Sequence, residues 1–241
     1  RISKGKTIFN FLSLGQEEQV TSILAQPKLT KHDTRNTTQK LGVRDTGVVG
    51  RRYIVMLTKD GIIKKVDASS FDNVRRSGLI ALTLKKGDNL RWARPTSGQD
   101  ELILVTKKGQ AVRFSEKDVR VMGRQAAGVR AMRLKKGDEV MGISVSESSK
   151  FKIQSSKLLV VMENGFGKHT LLQHYKKQRR GGSGIKTAKV TSKTGNVIGA
   201  TIVGEEETEL ITISRKGQVI KTTLAAIPVL GRATQGVRIM K

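Results

Sequence analysis

The chain has 241 residues, no cysteine and no run of about 18 apolar residues, which excludes a disulfide framework, a thiolate metal site and a helical membrane span. With 46 Lys and Arg against 20 Asp and Glu, its formal net charge is +26, far beyond the roughly 2 to 8 charges that keep a small domain soluble. Such a surplus points to a polyanion, with nucleic acid as the default partner, and with no secretory signal pattern a soluble, untargeted, cytoplasmic chain is expected.

In chain order, Lys4-Gly5-Lys6-Thr7-Ile8-Phe9-Asn10-Phe11-Leu12 reads as the second half of a unit whose full form follows, so a partial first unit is expected over about 1–30. Residues 26–51 are polar and long and read as a mobile connector. Next, Ile54-Val55-Met56-Leu57 is short and rich in β-branched residues and runs into Thr58-Lys59-Asp60-Gly61, which is strand–turn–strand chemistry. The same features return three times. Leu102-Ile103-Leu104-Val105 precedes Thr106-Lys107-Lys108-Gly109, Leu158-Leu159-Val160-Val161 precedes Glu163-Asn164-Gly165, and Leu210-Ile211-Thr212-Ile213 precedes Ser214-Arg215-Lys216-Gly217. These turn glycines are 48, 56 and 52 residues apart. A basic or imidazole side chain follows each by four residues (Lys65, Arg113, His169, Lys221), and a second glycine by 17 to 19 (Gly78, Gly128, Gly184, Gly236). A third turn follows in the complete copies, at Lys85-Lys86-Gly87-Asp88, Lys135-Lys136-Gly137-Asp138 and Lys193-Thr194-Gly195-Asn196. The units are 52–94, 101–146, 158–204 and a partial 209–241, with a Ser- and Lys-rich, mobile connector at 147–157 and an acidic one at 204–208.

Helical periodicity is missing over any window of a dozen residues, and only the stretches near Ser69 and Glu116 could hold a short helical turn. The chain therefore reads as all-β. Repeats of about 50 residues with roughly four strands each predict a propeller-like β-pinwheel, because one blade cannot bury both faces and must stack on its neighbours. With partial first and last repeats, the pinwheel is expected to be incomplete, with blades missing or the ring open.

Charge is spread over the units, at +5 for 1–51, +6 for 52–94, +5 for 101–146, +7 for 158–204 and +5 for 209–241. Equivalent basic positions on radial blades would line a rim, which suits a duplex bent along the edge of a disc. The basic side chains recur after the first turn (Lys64, Lys65, Arg113, Lys168, Lys221), before the second glycine (Arg75, Arg76, Arg124, Arg179, Arg180, Arg232) and at the third turn. Turn charges are expected to project from the surface, and as a set to meet phosphates. The few aromatics lack the alternation with basic residues that marks single-strand or RNA-binding sheets. Phe9, Phe11, Phe114 and Trp92 read as core, and Tyr53 and Tyr175 as structural. Gly123-Arg124-Gln125-Ala126-Ala127-Gly128 has the glycine spacing of a phosphate-binding loop, but Val129 and Arg130 stand where Lys and Ser or Thr are needed. His32, His169 and His174 lack the spacing and neighbours of a metal site, so neither a metal nor a catalytic residue is expected in this chain.

The most distinctive segment is Gln178-Arg179-Arg180-Gly181-Gly182-Ser183-Gly184, where flexible glycines let backbone come close to a phosphate while guanidinium forks bind it at two points. The heptad resembles the Gln-Arg-Arg-Gly-Gly-Lys/Arg-Gly box of the C-terminal domain family of the DNA gyrase A protein, with Ser183 in place of the second basic position. Residues 163–168, 119–124 and 231–238 resemble that family too, so the likeness covers nearly the whole chain, from about Ser3 to Met240. The resemblance implies a β-pinwheel that wraps duplex DNA in support of ATP-dependent negative supercoiling, with Gln178, Arg179, Arg180, Gly181, Gly182 and Gly184 in contact with DNA. It further implies two partners, the rest of the gyrase A protein and the ATPase-bearing gyrase B protein, in an A2B2 heterotetramer, with ATP and Mg2+ held outside this chain. By order, residues 158–204 resemble the penultimate blade, so the supercoiling box itself is expected upstream of Arg1. The equivalent domain of topoisomerase IV, or a basic propeller that binds acidic proteins or RNA, are the alternatives.

Overall fold

The computed structural model describes residues 52–74, 78–146, 155–204, 208–214 and 216–240, and within them the secondary structure is strands with short 3-10 turns. The expectations placed on 1–51, including the partial first unit, Phe9 and Phe11, and on Arg75 and Arg76, lie outside the described residues.

The first repeat supplies β1 (Tyr53–Thr58), β2 (Ile62–Asp67) and β3 (Leu90–Thr96). The second supplies β4 (Glu101–Thr106), β5 (Gln110–Ser115), a two-residue β6 (Val129–Arg130) and β7 (Val140–Ser146). The third repeats that order as β8 (Lys157–Met162), β9 (Phe166–Leu171), β10 (Ile185–Lys186) and β11 (Val197–Val203). The fourth contributes β12 (Glu209–Ile213), β13 (Val219–Thr223) and β14 (Val237–Arg238). Single 3-10 turns at Ala68–Phe71, Glu116–Asp118, Leu172–His174 and Leu224–Ala226 follow the second long strand of each repeat.

The sheets are not contiguous in sequence. Their orders are β3-β1-β2-β6, β7-β4-β5-β10 and β11-β8-β9-β14, followed by the β12-β13 hairpin. Three strands of each four-stranded sheet come from one repeat, and the short outer strand comes from the next. Register fixes the exchange: Ile63 faces Val129, Ala111 faces Ile185, and Gly167 faces Val237. The second glycine of the second, third and fourth units lies just before the exchanged strand. There a Cβ would come within 2.7 Å of Ile63 O at Gly128, and within 2.5 Å of Ala111 O at Gly184 and of Gly167 O at Gly236. All three have φ between 73° and 88°, so close approach and left-handed backbone both demand glycine.

Alternation along a strand sends side chains to two different interfaces. From β4, Leu102 and Leu104 pack with Val55, Leu57 and Ile63 of the preceding sheet, whereas Ile103 and Val105 pack with Leu158 and Val160 of the following one. The core is thus a series of layers between sheets. In the last hairpin, Ile211 and Ile213 stand at the offsets of Val55 and Leu57 but are 61% and 69% exposed.

Candidate nucleic-acid interface

The cations that follow the first turn are mostly inside. Position in the strand explains it, because three or four residues beyond the turn glycine is mid-strand in β2, β5 and β9 rather than on the turn. Lys64 and Lys168 have no exposed surface, Lys65 is 5% exposed and Arg113 is 8% exposed. Each reaches into the next repeat. Lys64 Nζ donates to Ala81 O at 2.7 Å and to Arg124 O, and Lys65 Nζ donates to Glu116 O at 3.1 Å with its carboxylate at 3.7 Å. Arg113 donates to Leu172 O at 3.2 Å and Tyr175 O at 3.0 Å, while its Nε holds Glu101 at 2.7 Å. Lys168 Nζ donates to Gly231 O at 2.7 Å, Arg232 O at 2.6 Å and Thr234 Oγ1 at 3.0 Å. The expectation that these four project from a turn toward phosphate is corrected: they are buried, and their donors are engaged by backbone carbonyls, with Glu101, Glu116 and Thr234 Oγ1 as further partners, rather than by solvent. His169 follows the same rule, with Nδ1 3.2 Å from Ile227 O, and burial lowers its pKa. Lys221, in the last hairpin, is exposed and paired with Glu209 at 2.7 Å.

The basic loops before the second glycine cross the opposite edge of the sheets, where the exchanged strand sits. Arg124 and Arg232 are half-buried, and Arg232 Nη1 lies 3.5 Å from Lys186 O. In the heptad, the Gln178 amide donates to Arg113 O at 2.8 Å and the Gly181 amide to Ala131 O at 2.6 Å, while Gly182 O accepts from the Arg133 amide at 2.8 Å. Arg179 is exposed. Arg180 is half-buried and turned onto the preceding repeat, with Nε on Asp118 O at 2.8 Å and Nη1 on Arg130 O at 3.1 Å. Gly184 serves the strand exchange described above, so among these glycines it answers a packing demand rather than a ligand's.

A more regular set of cations lies beside these loops and is missed when only the turn offsets are compared. The second residue of each exchanged strand is an exposed base: Arg130, Lys186 and Arg238. Five residues beyond the second glycine stand Arg133 and Lys189, also exposed, whose amides bond to Gly182 O at 2.8 Å and Thr234 O at 3.0 Å of the following loop. Extending the register test to two and five residues past the second glycine would have found them. Lys85, Lys86, Lys135, Lys136 and Lys193 of the third turns are exposed as well.

Phe114, Tyr175 and Trp92 keep to structural places. Phe114 and Tyr175 are buried, the Tyr175 hydroxyl meets Thr187 Oγ1 at 2.5 Å, and Trp92 packs on the core between the first two sheets. Among the described residues no group of three or more His, Asp or Glu is placed to hold a metal, and no helix is long and apolar enough to cross a membrane.

The sequence matches the family described as DNA gyrase C-terminal domain, beta-propeller, over residues 52–97, 100–147, 157–203 and 208–241. The DNA gyrase A protein of Staphylococcus epidermidis is 35% identical over all 241 residues, which cover 24% of that relative. Its counterpart in Staphylococcus aureus is 34% identical over the whole chain and 25% of its own length. The chain thus spans about a quarter of the curated relatives it matches. A solved DNA gyrase A C-terminal domain superposes with TM-score 0.78 at 25% identity, over 99% of this chain and 71% of that one. The C-terminal domain of a DNA topoisomerase IV superposes with the same TM-score at 21% identity, over 98% and 66%, a likeness of fold.

Proposed function

Because the chain belongs to the DNA gyrase A C-terminal domain family, we propose that it is a non-catalytic module that binds duplex DNA and wraps it along the sheet edges carrying the exchanged strands. The observation that supports this reading is the exposed series Arg130, Lys186 and Arg238, one cation at the same place on each exchanged strand, flanked by Arg133, Lys189 and Arg179. Recurrence by repeat gives a track of charge rather than one patch, and a track of point charges neutralises successive phosphates without reading bases. Arg124, Arg232 and Lys221 belong to the proposed DNA-facing set at its margins, together with the Gln178 side chain and the Gly182 amide, and Arg75 and Arg76 by sequence position, whereas the Gly181 amide is taken by Ala131 O.

In this reading the chain works within a gyrase assembly on the nucleoid, in the cytoplasm. DNA is cleaved by the rest of the gyrase A protein, and the gyrase B protein uses ATP and Mg2+ to drive negative supercoiling. The wrapped duplex is what this chain supplies. The test is binding to linear duplex DNA between about 50 and 200 mM salt, followed by relaxation of a plasmid in the presence of the protein. Affinity is expected to fall steeply with salt and the relaxed plasmid to change linking number. Binding without a linking-number change would remove wrapping from the proposal, and preference for RNA in direct competition would overturn the duplex reading.

A further inference from the structure

We propose that the two adjacent arginines of the heptad have different tasks: Arg179 meets the nucleic-acid backbone, and Arg180 is a positioning residue that replaces a lysine missing from the preceding repeat. The task of Arg179 rests on the duplex-wrapping reading. That of Arg180 rests on geometry alone.

Among the described residues, two of the three basic loops are held from inside by a buried lysine three residues after the turn glycine. Lys64 donates to Arg124 O of the second repeat's loop, and Lys168 to Gly231 O, Arg232 O and Thr234 Oγ1 of the fourth repeat's loop. At that offset the second repeat has Val112, 1% exposed and packed with Leu104 and Phe114, so no lysine at that place reaches the loop at 178–184. This loop is instead clamped from outside. Arg180 donates to Asp118 O and Arg130 O, the Gly181 amide to Ala131 O, and the Arg133 amide to Gly182 O, four bonds that span two repeats. The counterpart Arg232, whose loop has its lysine, makes a single bond at 3.5 Å, and Arg124 makes no such bond among the described residues. The Arg180 side-chain clamp and the internal lysine therefore alternate, whereas a bond from five residues past the preceding second glycine recurs in the other two loops, from Thr83 Oγ1 to Gln125 O at 2.6 Å and from the Lys189 amide to Thr234 O at 3.0 Å.

Arg179 is next in the chain to the clamp, exposed and without a side-chain bond among the described residues. A guanidinium whose backbone is already fixed loses less freedom when it engages a phosphate at two points. Arg180 acts through it.

The test uses the full chain with linear duplex DNA as probe, and amide hydrogen exchange without DNA. Arg179→Ala is expected to weaken binding several-fold and lower the salt slope by about 0.9, leaving exchange at Gly181 and Arg133 unchanged. Arg180→Ala is expected to speed exchange at those two amides about tenfold and to weaken binding, a loss that disappears in the Arg179→Ala background. Val112→Lys added to Arg180→Ala restores protection of the two amides; should it fail to fold, the single variants still decide. Unchanged exchange in Arg180→Ala, or binding losses that simply add, overturns the division of tasks. If the parent chain fails to bind duplex while Arg180→Ala still loosens both amides, the wrapping reading and the Arg179 half fall together, and the clamp alone stands.

Discussion

Lys168 carries its ammonium wholly inside the molecule, and burial, with help from Arg232, lowers its pKa to about 8. Its three acceptors compensate only part of the lost hydration. The folded value lies below the unfolded value of about 10.4, so between those two the unfolded chain binds the extra proton and stability rises with pH. The rise should reach about 3 kcal/mol across that window, read as the difference between parent and Lys168→Met in urea midpoints from pH 7 to 10.5. A second contrast at this scale separates two glycines of one loop. Gly184 has φ +73° and a Cβ site 2.5 Å from Ala111 O, whereas Gly181 has φ +84° but nothing nearer than Arg130 O at 3.7 Å. Gly181→Ala should cost about 1 to 2 kcal/mol, the left-handed backbone term alone, and Gly184→Ala distinctly more, because a carbonyl must move as well. Thermal unfolding of both variants checks the order.

Each joint between repeats combines an exchanged strand with a buried cation, and Arg113 shows how far the two depend on each other. It lies on β5 beside β10, which the following repeat supplies, and holds the Leu172 and Tyr175 carbonyls of that repeat together with Glu101. Partial burial works against the Glu101 charge, but the bonds from Arg113 and Lys177 overcome it and hold the carboxyl below its usual range. Arg113→Met leaves that carboxylate and two carbonyls without their main partner and should cost about 3 kcal/mol in urea unfolding at neutral pH. Because the folded pKa of Glu101 is depressed, its contribution is present above the unfolded value of about 4.3 and lost as pH falls through the folded one. The acid end of the stability profile should accordingly flatten in Arg113→Met.

The whole molecule keeps two populations of cations apart. Among the described residues, one lies between sheets, closed to a polyanion, and the other lies along the edge of exchanged strands, open to it as the third-turn lysines also are. Replacing Arg130, Lys186 and Arg238 together by alanine should lower the salt slope of duplex binding by as much as about 2.7, near 0.9 for each phosphate no longer neutralised. The melting temperature should stay within a few degrees of the parent's, because all three side chains are exposed. Lys64→Met and Lys168→Met should do the reverse, lowering stability with little change in the salt slope.

The repeat, the all-β class, the glycine turns and the charge surplus were legible in the sequence because each is a local property. A β-branched run ending at a glycine turn specifies a hairpin wherever it occurs, and four in register specify stacked sheets. The structural parts of the heptad were half legible, since Gly184 shares its offset with Gly128 and Gly236, yet nothing local says that a carbonyl of another repeat lies against it. The fate of the cations depended wholly on tertiary structure. Lys65, Arg113 and Lys168 find their acceptors 51, 59 and 63 residues further along the chain. Sequence offsets place a residue along its strand, but a lysine is a rim charge or an internal tie according to which repeat lies over it, and strand exchange between repeats decides that.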